Sequence, residues 1–219
     1  MKKYNDILLQ SPLFSGVNES DLTGMLRCLG AKVKKYAKNQ SVFLEGEPAT
    51  SIGILLSGGV QVIKEDYYGN RSIVVQIEPG QIFGEAFACA QIKTLPISVV
   101  AVCDSEVLLV DCKRIITACG NSCEFHNKLI HNLLRVVAMN NLLLNRKLEL
   151  ISKRTTKEKL LAYLLSEAKR HGSNSFTIPY NRQELADYLG VERSAMSAEL
   201  GKLRNEGMIE FQKSRFTII

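Results

Sequence analysis

The stretch from Asn181 to Gly207, NRQELADYLGVERSAMSAELGKLRNEG, constrains this chain more than any other, because its punctuation admits two short helices joined by a tight turn and little else. Asn181 is an N-cap residue whose side chain can accept from the first free backbone N–H groups. Leu185, Ala186 and Leu189 put an apolar stripe on the first helix, and Gly190 supplies the freedom that a sharp turn needs. Met196, Leu200 and Leu203 recur at i, i+4 and i+7 on the second helix, which Gly207 ends. At about 100° per residue, the opposite face carries Ser194, Ala198, Gly201 and Asn205, with Arg193 and Ser197 on its flanks. A helix with so little bulk can lie close to another surface. The pattern predicts a helix-turn-helix whose second helix enters a DNA major groove, Arg193 offering a bidentate donor to guanine. An ordinary helical hairpin is the plainer alternative.

The C-terminal residues beyond Gly207 favour DNA. Residues 209–219 read as two brief alternating strands around a polar turn with Lys213 and Arg215 at its tip, and a hairpin after a recognition helix is a wing. From Ser152 to Ile219 twelve Lys and Arg stand against eight Asp and Glu, so +4 of the chain's +6 formal charge lies there. Phosphate contact needs that excess, and Arg182, Lys202, Lys213 and Arg215 are its candidate carriers.

Upstream the texture differs. Residues 7–30 predict a helical lead-in broken at Ser11-Pro12, with Asn18 or Ser20 capping a helix that carries Leu22, Met25, Leu26 and Leu29. From Val33 to Val110, apolar clusters are parted by Gly46-Glu47-Pro48, Ser57-Gly58-Gly59, Tyr68-Gly69-Asn70, Glu78-Pro79-Gly80 and Cys103-Asp104-Ser105. Short strands at such spacing make a sandwich or closed roll. Within them, Phe83-Gly84-Glu85-Ala86-Phe87-Ala88 is a Gly-Glu turn opening a short helix, able to present backbone N–H groups to an anion; a structural turn with a solvated Glu85 is the alternative.

A long helix is expected from about Ser122 to Ile151. Leu129, Val136, Leu143 and Leu150 repeat every seven residues, and Ile130, Val137, Leu144 and Ile151 repeat beside them. One column can pack on the roll and the other on a second copy of the chain, with Asn140 and Asn141 interrupting the seam; burial wholly within one chain is the alternative. Thr155-Thr156-Lys157-Glu158 is a capping box for a further helix ending near Arg170, its Leu160, Leu161, Leu164 and Leu165 facing its own domain. The hinge then falls at 152–154. The expected class is α+β: an effector-sensing β-roll over 1–120, a dimerisation helix over 121–151, and a winged helix-turn-helix over 152–219.

The 219 residues and 46% hydrophobic content suffice for two cores. No segment resembles a membrane span or a signal peptide, which predicts a cytoplasmic protein. Six cysteines, Cys28, Cys89, Cys103, Cys112, Cys119 and Cys123, are then thiols. Cys119, Cys123, His126 and His131 cluster near one helix start, but without paired metal-ligand spacing; small buried apolar residues are the expected identity, and a metal or haem role the alternative.

Roll, long helix and winged helix-turn-helix in this order resemble the Crp/Fnr family of bacterial transcription regulators. The residues that carry the likeness, over 10–219, are the spaced glycines of GEPATSIGILLSGGVQV, the segment EPGQIFGEAF, the long helix, and NRQELADYLGVERSAMSAELGKL. The resemblance implies a homodimer on a two-fold operator in double-stranded DNA, with RNA polymerase as a further partner and an effector in the roll. Matched to the family, the base-reading positions are Arg193, Ser194 and Ala198, where cyclic-AMP regulators have Arg, Glu and Arg. The candidate effector set is Gly84, Glu85, Ala86, Lys93, Leu95, Pro96, Asn140 and Leu144. The departures are as telling. Cyclic-AMP sensors hold the phosphate with an Arg-Ser pair where this chain reads Leu95-Pro96, and bring Thr and Ser to the base where it reads Leu142-Leu143-Leu144. Lys93 is a lone point charge, and Cys28 is the one cysteine of an N-terminus that iron–sulfur members fill with several. Neither cyclic AMP nor an iron–sulfur cofactor is expected. An enzyme or metabolite-binding protein with a basic C-terminal module is the alternative, weakened by the absence of a nucleophile-base-orienter set among three histidines, of which His171 is expected in a loop.

Overall fold

Eight short strands close into two facing sheets in a computed structural model that describes residues 2–117 and 124–219. Two helices lead in, α1 (Asn5–Gln10) and α2 (Glu19–Cys28), parted by a 3-10 turn that starts at Pro12. The strands are β1 (Lys32–Tyr36), β2 (Ser41–Phe43), β3 (Ser51–Ser57), β4 (Val60–Glu65), β5 (Arg71–Ile77), β6 (Ile82–Phe83), β7 (Ser98–Ala101) and β8 (Ser105–Asp111). They pair in the orders β1-β8-β3-β6 and β2-β7-β4-β5, so that the chain passes repeatedly from one sheet to the other, as in a jelly roll. The β3–β8 register sets Ile54 opposite Leu108. Both are fully buried, as are Leu55, Val60, Val99 and Val107.

Gly53 on β3 is there because Phe83 needs its place. A Cβ at this position would stand 2.2 Å from the Phe83 ring, which in turn tilts against Phe43 with centroids 5.4 Å apart. Phe43, Phe83, Leu95 and Ile97 share one cluster inside the roll. A second cluster joins the lead-in helices to the other sheet and to Leu129, Leu133 and Val136 of the long helix.

Helix α3 (Glu85–Cys89) interrupts the roll, α4 (Cys112–Ile116) closes it, and α5 (Glu124–Ile151) is the long helix. Its expected beginning at Ser122, the boundary at 120/121, and Cys119 and Cys123 lie outside the described residues. Then come α6 (Thr156–His171), β9 (Ser175–Thr177), α7 (Arg182–Leu189), α8 (Arg193–Asn205), β10 (Ile209–Gln212) and β11 (Arg215–Ile218), the three strands forming a sheet in the order β10-β11-β9. The chain divides into two compact units, one holding residues up to Asp66 with Val74–Asn141, the other Tyr67–Ile73 with Leu142–Ile219. Among the described residues, no helix is long and apolar enough to cross a membrane.

Several expectations need correction. His171 is the last residue of α6 and stacks on Phe176 at 5.9 Å, rather than lying in a loop. Leu165 is exposed, because the core of its domain is met by Leu160, Tyr163 and Leu164. Cys28 and Cys103 are exposed, whereas Cys112 is buried. Glu85 is buried, not solvated.

Candidate nucleic-acid interface

The recognition element is assembled from its caps inward. The Asn181 side chain accepts from the Glu184 N–H at 3.0 Å, and the Glu184 carboxylate accepts from the Asn181 N–H at 2.8 Å, so α7 starts on a reciprocal capping box. Gly190 stops it in the left-handed region, φ 61°, where a side chain would be strained. Three residues later, at Arg193, α8 begins. Met196, Leu200 and Leu203 are at most 1% exposed, which fixes the helix about its axis. Arg193, Ser194, Ser197, Ala198 and Asn205 are thereby turned to solvent, with Gly201 partly covered. Glu192 precedes α8 without a side-chain capping bond, so the first N–H groups of the helix are free to meet an anion.

The wing is a two-residue turn between β10 and β11. Lys213 occupies it with φ 52°, and both Lys213 and Arg215 are exposed. Arg215 also approaches the Ser175 hydroxyl of β9 at 3.5 Å. Beneath the wing, the Arg182 guanidinium stands 4.7 Å from the Phe211 ring centroid and 5.0 Å from that of Phe216, and the Arg204 guanidinium stands 5.4 Å from that of Phe211. Stacking of this kind holds the hairpin against the start of α7. Burial lowers the Arg182 pKa, yet an arginine stays charged. Lys202 is paired with Glu199 at 2.6 Å on the helix surface, an exposed pair that phosphate can exchange. The sequence does not reveal Arg204 or strand β9. Ser175-Phe176-Thr177 alternates as a strand should but is too short to stand out, and the Arg204–Phe211 pairing exists only once the wing folds back.

The candidate effector residues divide. Asn140 donates to the Glu85 carboxylate at 2.8 Å, and burial raises the Glu85 pKa while this bond pulls it back. Leu95 is buried in the roll beside Phe43 and Phe83. Gly84, at φ 79°, caps α3 and touches Phe43 closely enough to exclude a side chain. Ala86, Lys93 and Pro96 are exposed, and Leu144 is exposed on α5. The structure thus brings Glu85 and Asn140 together and turns Lys93 and Pro96 outward. A cavity of about 310 Å³ lies elsewhere, between α2 and α5, lined by Gly24, Met25, Cys28, His126 and Leu129. His126 sits 3.2 Å from the Arg114 carbonyl, and among the described residues no three potential metal ligands come together.

Residues 33–121 match the family described as cyclic nucleotide-binding domain, and residues 158–219 that described as Crp-like helix-turn-helix domain. The nitrogen fixation regulation protein FixK of Azorhizobium caulinodans is 25% identical over 193 residues, spanning 84% of this chain and 73% of that protein. Among solved structures, FixK2 of Bradyrhizobium japonicum aligns with a TM-score of 0.69 at 23% identity, over 86% of this chain and 92% of that one. The c-di-GMP-responsive regulator CLP of Xanthomonas campestris aligns with a TM-score of 0.74 at 18% identity, over 92% and 99%. At these identities the structural likeness speaks for the fold.

Proposed function

This chain belongs to the Crp/Fnr family of DNA-binding transcription regulators, and we propose that it acts as a cytoplasmic homodimer which binds a two-fold operator and meets RNA polymerase there. One observation supports the reading above others: α8 is held by three buried apolar residues and offers the opposite, nearly bulk-free face with Arg193 at its N-terminal end. In this reading Arg193 reads a guanine, Ala198 meets a thymine methyl, Ser194 and Ser197 allow close approach, and DNA shape supplies the rest of the discrimination. Arg215, Lys213 and Lys202 contact phosphate, and Arg182 does so from its stack on the wing. The family consists of regulators rather than enzymes.

The roll over 1–120 is the sensing domain, 121–151 the dimerisation helix, 152–219 the DNA-binding domain, and 152–154 the hinge. Its effector is not cyclic AMP, because Leu95 and Pro96 offer its phosphate neither charge nor hydroxyl. A less charged effector against Glu85 and Asn140, or none, fits the aromatic filling of the roll. A footprint on the DNA upstream of the protein's own gene tests the whole: two protected half-sites one helical turn apart, about 34 Å, are expected. A protein that protects no such site under low salt is not working in this way.

A further inference from the structure

Two thiols outside the DNA-binding unit stand unusually close. Cys89, the last residue of α3, and Cys112, the first residue of α4, have their sulfurs 3.8 Å apart, with the two short helices packed together. Cys112 is buried and Cys89 half-buried, and both border the cluster on which Leu129, Leu133 and Val136 of α5 pack. A disulfide needs a sulfur separation of about 2.05 Å. Closing the remaining gap of about 1.8 Å calls for side-chain rotation and a small shift of the two short helices.

We propose that Cys89 and Cys112 are a redox-convertible pair whose oxidation to an intrachain disulfide changes operator affinity. The chemistry of the pocket favours a disulfide over a bound soft metal. A bis-thiolate would bury negative charge beside Glu85 and Asp111, whereas a disulfide is neutral. Burial first, then the partner sulfur and Asp111, push the Cys112 thiol up to about 12, and Cys89 is raised as well. At neutral pH the pair is therefore protonated and reacts slowly, responding to sustained oxidation rather than to a brief pulse.

The step balances with a low-molecular-weight disulfide, RSSR, as oxidant. The more accessible Cys89 loses its proton to solvent and attacks RSSR, giving a mixed disulfide and one RSH. Cys112 then attacks the Cys89 sulfur, the protein disulfide forms, and a second RSH leaves. Two electrons and two protons pass from the protein to the oxidant.

The route to the DNA starts at the other end of α3. That helix has only five residues, and its first, Glu85, accepts from Asn140 of α5. Drawing Cys89 towards Cys112 displaces Glu85 against Asn140 while it repacks the cluster under α5. The inference rests on the operator reading for its output but not for its chemistry.

The test uses the full chain with Cys28, Cys103, Cys119 and Cys123 replaced by Ser, exposed to oxidised glutathione and then to a thiol-alkylating reagent. Loss of both alkylatable thiols without retained glutathione, together with a change of about fivefold or more in operator affinity that dithiothreitol reverses, is the expected result. Cys89→Ser should abolish the reversible change, with Cys112→Ala as a second block that spares the core a hydroxyl. If both thiols survive prolonged oxidation, or if the disulfide forms and operator affinity does not move, the proposal is wrong. Operator binding by the reduced protein is measured first; if it is absent, the operator reading fails by itself, and the alkylation result still decides whether the pair is a redox site.

Discussion

Arg193 and Lys213 are both exposed cations, yet their surroundings differ, and the proposed operator reading gives them different work. Arg193 sits at the start of a helix whose rotation is locked by Met196, Leu200 and Leu203, so its fork has one direction of approach. Lys213 rides on a turn tip. Replacing Arg193 with Ala should cost about 1–3 kcal/mol and relax preference at one symmetric base pair, whereas Lys213→Ala should weaken all sequences alike and reduce the salt slope by about one unit. Binding across a panel of single-base operator variants separates them; uniform weakening by Arg193→Ala would make it a phosphate clamp. The roll allows an equally sharp statement. Leu95 is buried, Pro96 and Lys93 face outward, and Glu85 is already engaged with Asn140. A cyclic phosphate placed there meets a buried carboxylate, while Lys93 is turned to solvent, at a cost of several kcal/mol. Calorimetry with cyclic AMP should register no binding at micromolar concentration, and a micromolar isotherm would overturn the assignment.

Single elements carry a further consequence, on the C-terminal half of α5. Lys147 lies with its ammonium 3.9 Å from the centre of the Tyr188 ring and donates to the Ile73 carbonyl, all within the second unit. Burial pushes its pKa down to about 8 from 10.5. The unfolded chain therefore holds more protons than the folded one between these values. Stability rises with pH across that window, by up to roughly 3 kcal/mol, and the penalty is fully present below pH 8. The ring face and the carbonyl both favour the ammonium and make the observed rise smaller. Urea unfolding at pH 7.5, 8.5 and 9.5 should show a steeper climb in the native protein than in Lys147→Met; parallel slopes would remove Lys147 from the account. Elements were legible in the sequence where the signal was local. The box at Thr155 and Glu158, the Asn181 cap and the glycines at 190 and 207 depend on neighbours within four residues, and all are where their patterns place them. What escaped depends on distant partners. Asn140 reads in the sequence as a break in the apolar seam of α5, but it points at Glu85, fifty-five residues away. Leu134 and Leu148 escape in the same way, although the column of Ile130, Val137, Leu144 and Ile151 beside them is legible, because Asn141 stands midway between the two and breaks their seven-residue repeat.

At the scale of the molecule, the exposed side of α5 is the surface on which the proposed second copy would pack. Ile130, Leu134, Val137, Asn141, Leu144, Leu148 and Ile151 follow one another at steps of four and three residues, the spacing of a left-handed coiled-coil seam. Leu129, Leu133 and Val136 lie about a quarter-turn away and are spent on the chain's own core, so the two columns do not compete. Leu144 and Leu148 are 46% and 59% exposed, a poor position for leucines that nothing covers. Val137 touches the core cluster, which makes it a worse probe of the interface than these two. Replacing Leu144 and Leu148 together by Glu should therefore give a folded monomer, since a dimer would have to hold four carboxylates along one seam. Met139 supplies the control: it is 52% exposed but lies on the opposite side of α5, so Met139→Glu should remain dimeric. A monomer grips one half-site and loses the gain from tethering two, which lowers operator affinity by about 10²- to 10⁴-fold. Light scattering and a mobility shift on the same samples decide the matter. A double variant that stays dimeric moves the interface off this seam, and a monomer that binds the full operator undiminished removes the need for two-fold recognition.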